Sequence, residues 1–144
     1  MNTLQEIHLG AYTISTDPAR LDLAAIHRYL SQESYWSRGI AMEKVARAIA
    51  HSLPYGVYTS SEQVGFGRIV TDYCKLAYIC DVYILTPHRG QGLGKALVQA
   101  MLSHPELQDL RRWMLATQDA HGLYQPFGFQ PVANPANLLE IRRP

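Results

Sequence analysis

The sequence predicts one α+β domain, a mixed but mostly antiparallel sheet flanked by helices. Three observations lead there. The chain has 144 residues, one domain's worth at a prior of roughly 150 residues each, so residues 1–144 read as a single unit. Apolar residues make up 47% and charged residues 17%, too apolar and too weakly charged for a disordered polymer and ample for a core. Strand-like runs and helix-like runs also alternate along the chain, with a single strand-to-helix unit at 76–103 in an otherwise antiparallel order.

The elements follow in turn. Ile7 to Ser15 reads as a first strand, with β-favouring Tyr12, Thr13 and Ile14. Asp17-Pro18 offers an N-cap and an N1 proline for a helix whose buried stripe is Leu23, Ile26 and Leu30. Residues 34–39 break that spacing and read as a loop. A second helix, about Met42 to Ser52, carries Val45, Ala48 and Ile49 on one face, and Pro54 ends it.

Three strands are expected next, at Gly56 to Thr59, Val64 to Thr71 and Leu76 to Leu85. The third is apolar on both faces apart from Asp81, as in the middle of a sheet. After a glycine-rich turn comes a helix with Leu93, Leu97 and Met101 on one face, stopped by His104-Pro105. Trp113 to Thr117 is a short strand and Ala120 to Tyr124 a short helix. Phe129 to Val132 and Leu138 to Ile141 are expected as closing strands.

Charge and cysteine content exclude several classes. Thirteen Lys+Arg against twelve Asp+Glu leave +1, no field to draw nucleic acid or an anionic membrane. Cys74 and Cys80 form no CxxC pair, so neither a zinc site nor a disulfide framework is indicated, and no metal is expected. No basic, then apolar, leader opens the chain and no run approaches the length of a membrane span, so a cytoplasmic protein is expected.

The informative segment is Arg89-Gly90-Gln91-Gly92-Leu93-Gly94-Lys95, between a buried strand and an amphipathic helix. Glycines there let a ligand approach the backbone, and the first helical turn presents unpaired N–H groups to an anion such as a pyrophosphate. A Walker loop would need Gly at Arg89 and Ser or Thr at Ala96. A Rossmann fingerprint starting at Gly90 would need a small residue at Lys95 and two βαβαβ halves. Both fail.

What fits is Arg89-x-x-Gly92-x-Gly94, preceded by Asp81-Val82-Tyr83-Ile84 and followed by Leu123-Tyr124-Gln125-Pro126-Phe127-Gly128-Phe129. With these motifs in order, the chain resembles the GNAT superfamily of N-acetyltransferases, most specifically from Val64 to Val132. The resemblance implies a sheet splayed between its fourth and fifth strands, with acetyl-CoA as co-substrate wedged into the gap. It implies that Val82, Tyr83 and Ile84 pair with the pantetheine arm, and that the N–H groups of Gly90, Gln91, Gly92, Leu93, Gly94 and Lys95 cradle the pyrophosphate with Arg89 adding charge. A backbone N–H near Val82 would serve as oxyanion donor.

The same resemblance places Tyr124 beside the CoA sulfur as the acid that protonates the departing thiolate. Phe127 joins the cofactor contacts, and Asp119 lies where relatives hold pantetheine, though it also reads as an N-cap. Relatives often carry Glu before the aspartate at 81; here Cys80 stands in its place, which leaves the base unassigned. Asp81 either anchors or deprotonates the amine, or braces the strand. Cys80, Tyr35 and Trp36 fall on the acceptor side, the two aromatics in a loop that would overhang it or anchor itself to the body. The expected activity is acetyl transfer to a primary amine, of a small molecule, by direct attack in a ternary complex. A CoA-binding module without catalysis, a protein- or peptide-amine acetyltransferase, and a homodimeric state stay open.

Overall fold

The computed structural model describes residues 4–144 and builds them on one six-stranded sheet, ordered β1-β2-β3-β4-β5-β6. Strands β1 (Glu6–Leu9), β2 (Tyr12–Ser15), β3 (Leu53–Tyr58), β4 (Gln63–Thr71) and β5 (Leu76–Ile84) are antiparallel neighbours. Strand β6 (Arg112–Leu115) runs parallel to β5. Helices α1 (Leu23–Gln32) and α2 (Met42–Ala50) pack on one face with Phe66 and Tyr83. Helix α3 (Leu93–Leu102) covers the other, burying Leu93, Leu97, Val98, Ala100 and Met101. Each such large side chain contributes roughly 1.5–3 kcal/mol by leaving water. The short helix α4 (His121–Tyr124) follows β6.

Several boundaries differ from the sequence reading, each for a local reason. The expected first strand is a hairpin, because Gly10 takes φ +58° and turns the chain between Leu9 and Tyr12. Asp17 caps only the 3-10 turn Pro18–Arg20, accepting from the Ala19 N–H at 3.0 Å. Asp22 caps α1 instead, accepting from the Ala25 N–H at 3.1 Å. Pro54 does not end α2, which stops at Ala50; it lies inside β3, opposite Arg68. It is tolerated there because β2 pairs only with Gly56–Tyr58, so no ladder bond needs the missing N–H.

Strand β5 is less central than expected: Leu76 and Tyr78 are exposed, and β6 accompanies it only from Leu76 to Ile79. The closing strands at 129–132 and 138–141 do not form, and residues 130–144 are exposed. Pro131 and Pro135 remove donors from this stretch and fix its φ angles, and the chain turns instead at Pro135–Asn137. Consequently, among the described residues, β6 has no strand on its outer edge.

One irregularity positions the site. Two residues of β5, Asp81 and Val82, stand opposite Gly67 alone, since Arg68 pairs with Cys80 and Phe66 with Tyr83. Asp81 occupies this bulge at φ +58°, a left-handed conformation that aspartate tolerates better than most residues. The extra residue inverts the alternation of β5. Ala77 and Ile79 face α3, but beyond the bulge it is Ile84 that does so, while Tyr83 turns toward α1.

Candidate active site

Strands β5 and β6 stay paired from Leu76↔Arg112 to Ile79↔Leu115 and then part. Beyond that point Cys80–Ile84 continue with no strand of the described residues beside them on the β6 side. The expected splay between the fourth and fifth strands therefore lies between β5 and β6, the N-terminal hairpin adding one to the count. Val82, Tyr83 and Ile84 line its free edge.

At one end of this gap lies the glycine turn. Gly90 and Gly92 have φ of +82° and +83°, and a Cβ on either would meet nothing within 4 Å. Glycine is needed here for backbone conformation, since the surroundings leave ample space. Gly92 is the N-cap of α3 and no side chain caps that helix, so the N–H groups of its first turn remain available. Gly94 sits within the turn, where a Cβ would touch Leu123 at 3.5 Å. Lys95 is exposed beside it.

Arg89 donates from Nε to the Ile84 carbonyl at 2.8 Å and from Nη2 to the Tyr29 hydroxyl at 3.2 Å. It clamps the end of β5 to α1 as well as placing a cation at the turn. Tyr29 in turn stacks on Tyr83, ring centroids 3.8 Å apart. The Gln91 side chain reaches back to β2, donating to the Tyr12 hydroxyl at 3.0 Å, which leaves its backbone as the group facing an anion.

At the other end of the gap, Asp81 is held by two donors. Its Oδ2 accepts from Arg68 Nε at 2.7 Å and its Oδ1 from Trp36 Nε1 at 2.7 Å. Arg68 also donates to Ser52 Oγ at 2.9 Å, tying the turn between α2 and β3 to the bulge. Asp81 thus braces the bulge and anchors the 34–39 loop. Burial pushes the Cys80 thiol above its ordinary range, with Arg68 drawing it down and Asp81 raising it, so it is poorly suited to the base role.

Tyr35 completes the arrangement. Its hydroxyl accepts from the Gln118 N–H at 2.8 Å, just past β6, while its ring meets Trp36 edge-on at 5.0 Å. The loop thus spans the mouth of the splay, fastened to β5 through Trp36 and to the β6 side through Tyr35.

Tyr124 is buried, and burial, with smaller contributions from Tyr35 and Asp119, pushes its phenol up to about 12. Its hydroxyl is not among the buried polar atoms left without a partner, which among the described residues are Tyr58 Oη and His104 Nε2. Asp119 does not cap α4; Ala120 holds that position and the Ala120 N–H donates to Thr117 Oγ1 at 3.0 Å. Asp119 is exposed near Tyr124 and Tyr29, whose phenols it helps to keep protonated. Phe127 lines a groove of about 940 Å³ along β6, together with Tyr124 and Phe129.

Sequence reasoning missed Arg68, Ser52, Tyr29 and Gln118. Arg68 had a readable signal: it is the one cation within an apolar strand that neighbours the one bearing Asp81. Gln118 had none, because it contributes a backbone group.

Comparison with known proteins decides the family. The model of the acetyltransferase (GNAT) family matches residues 23–129. The chain belongs to the GNAT family of acetyltransferases. A relative from Gibberella zeae, named as an acetyltransferase, is 34% identical over 137 residues, covering 80% of this chain and 76% of its own. A Xanthomonas campestris crystal structure assigned to the GNAT family is 46% identical, with a TM-score of 0.91 over 95% of this chain and 96% of that one. A Clostridium acetobutylicum acetyltransferase solved with acetyl-CoA shares the fold at 14% identity, with a TM-score of 0.66 over 91% and 94% of the two chains. No helix among the described residues of this GNAT chain is long and apolar enough to cross a membrane.

Proposed function

We propose that this GNAT acetyltransferase moves an acetyl group from acetyl-CoA to the primary amine of a small molecule, by direct attack in a ternary complex. The observation that carries the reading is the β5–β6 gap, with uncapped backbone donors at the start of α3 and, on the α4 helix packed against that start, the phenol of Tyr124. Acetyl-CoA supplies the thioester-activated acyl group.

The chain's residues divide the remaining work. The N–H groups from Gly90 to Lys95 hold the pyrophosphate, reinforced by the positive end of α3. The free edge of Val82–Ile84 receives the pantetheine as an added strand. The left-handed bulge at Asp81 re-aims the backbone at Val82, whose N–H polarises the thioester carbonyl. The Tyr124 hydroxyl donates to the sulfur. At about 12 its phenol is a weak acid, so it acts chiefly as a hydrogen-bond donor that stabilises the charge developing on the thiolate.

Asp81 is a brace in this reading, each of its oxygens already accepting from Trp36 or Arg68, and Cys80 is a thiol held protonated. Water in the open gap takes the proton from the incoming ammonium. The acceptor wall of Tyr35 and Trp36, with the internally neutralised Arg68–Asp81 pair, favours a small amine over a basic peptide.

An amine panel with acetyl-CoA tests this, reading thiol release and the mass of the acetylated product. Amine-dependent thiol release from at least one small amine is expected, together with a thermal shift from CoA. A ligand at 100 times its Kd adds about 2.7 kcal/mol. Tight CoA binding with no thiol release from any amine or peptide would favour a binding module.

A further inference from the structure

The C-terminal segment and the outer edge of β6 present an unsolved problem within one chain. Leu139 is 94% exposed and Ile141 81%, with Leu138 and Val132 also open to water. The run Leu138-Leu139-Glu140-Ile141 is β-favouring and amphipathic in sequence, yet it pairs with nothing. Strand β6 meanwhile pairs only with β5, and its other side opens onto the 940 Å³ groove lined by Leu102, Trp113, Leu115, Phe127, Phe129 and Val132. An unpaired edge beside an apolar groove is a template for another strand.

We infer that this groove receives the C-terminal segment of a second copy, residues 138–141 of each chain adding to β6 of the other. Each chain carries one open edge and one unpartnered strand sequence, so a reciprocal exchange satisfies both and closes at two copies. The chain's own tail is held off its groove by the intervening stretch. Pro131 and Pro135 stiffen it, and the turn at Pro135–Asn137 sends the segment outward with every residue exposed. The groove borders Tyr124, so the exchanged strand also closes the side of the site behind α4. The inference does not depend on the acetyl-transfer reading.

Light scattering on the full chain between 5 and 100 µM tests it. The wild type is expected at twice the 16.2 kDa chain mass. The L139D/I141D double variant and a chain ending at Asn137 are expected at the single-chain mass, with a far-ultraviolet dichroism that keeps the helical signal and loses only the exchanged strand, because among the described residues this segment packs on nothing in its own chain. Hydrogen exchange should show the Trp113 and Leu115 amides, which alternate with the β5-facing Arg112 and Met114 amides and so point to the outer edge, protected in the wild type and exposed in both variants. A wild type at the single-chain mass at 100 µM would overturn the inference, even with a protected tail, which would mean closure on its own edge. Variants that remain dimeric would also overturn it, by placing the interface elsewhere.

Discussion

The two ends of the β5–β6 gap are built from different materials. The phosphate end is backbone: Gly90 and Gly92 in left-handed conformations, and an uncapped helix start. The chemical end is side chains drawn from distant segments: Trp36 and Tyr35 from a loop, Arg68 from β4 and Asp81 from the bulge, with Tyr124 on α4, which packs against the start of α3. A backbone cradle suits a constant ligand such as a pyrophosphate. A side-chain cage suits the part of the reaction that varies from enzyme to enzyme, the acceptor.

The contrast is broken most severely at Gly92. Gly92→Val forces a β-branched residue to φ +83°, where even unbranched L-residues are disfavoured by about 1–2 kcal/mol. The distorted cradle should lose CoA affinity by roughly 100-fold or more, read by titration calorimetry. Gly94→Ala is the sharper control. Its Cβ makes only ordinary contact with Leu123 at 3.5 Å, so CoA affinity should fall less than about 10-fold by the same measure.

Removing the cation from the chemical end tests stability and not ligand affinity. Arg68→Ala strands the Asp81 carboxylate, whose side chain is only 11% exposed. The cost should be roughly 3 kcal/mol, seen as a melting temperature lower by about 10 °C. Asp81→Asn keeps the acceptor for Trp36 and a residue at ease in the bulge, so the melting temperature should fall less and turnover of folded protein should hold within about threefold. Lost turnover at an unchanged melting temperature would make Asp81 the base.

The smallest effects lie in pH dependence. Burial holds the Tyr124 and Tyr58 phenols near 12 in the folded chain, against an ordinary value of 10. The unfolded chain gives up those protons first, so their contribution is intact below pH 10 and lost between about 10 and 12. Asp72 behaves oppositely. The N–H groups of Lys75, Cys74 and Leu76 hold its carboxylate down to about 2, against an ordinary 3.8. Its contribution is present above pH 4 and lost as pH falls toward 2. Chemical denaturation at intervals from pH 2 to 12 would show both edges.

The same division explains what could be read in advance. The glycine turn and α3 were legible because left-handed backbone and helical periodicity leave marks at fixed positions. The partners of Asp81 were not, because Trp36 and Arg68 reach it across 45 and 13 residues of chain. The bulge left only the hint of one acid in an apolar strand, and its inversion of β5 is invisible to a period-two pattern. The tail misled most: its alternation is genuine, but a strand needs a partner, and the described chain offers it none. The hairpin at Gly10 was hidden because Gly-Ala interrupts the apolar run without breaking it.

The central claim is that anchoring and chemistry rest on separate groups along one gap, with Tyr124 belonging to the second. Tyr124→Phe keeps the ring against Phe129 and removes only the hydroxyl. With saturating acetyl-CoA and the best amine from the panel, kcat should fall about 100-fold while the Kd for CoA stays within twofold. A Tyr124→Phe enzyme with full turnover, or one that loses CoA affinity in step with kcat, would contradict it.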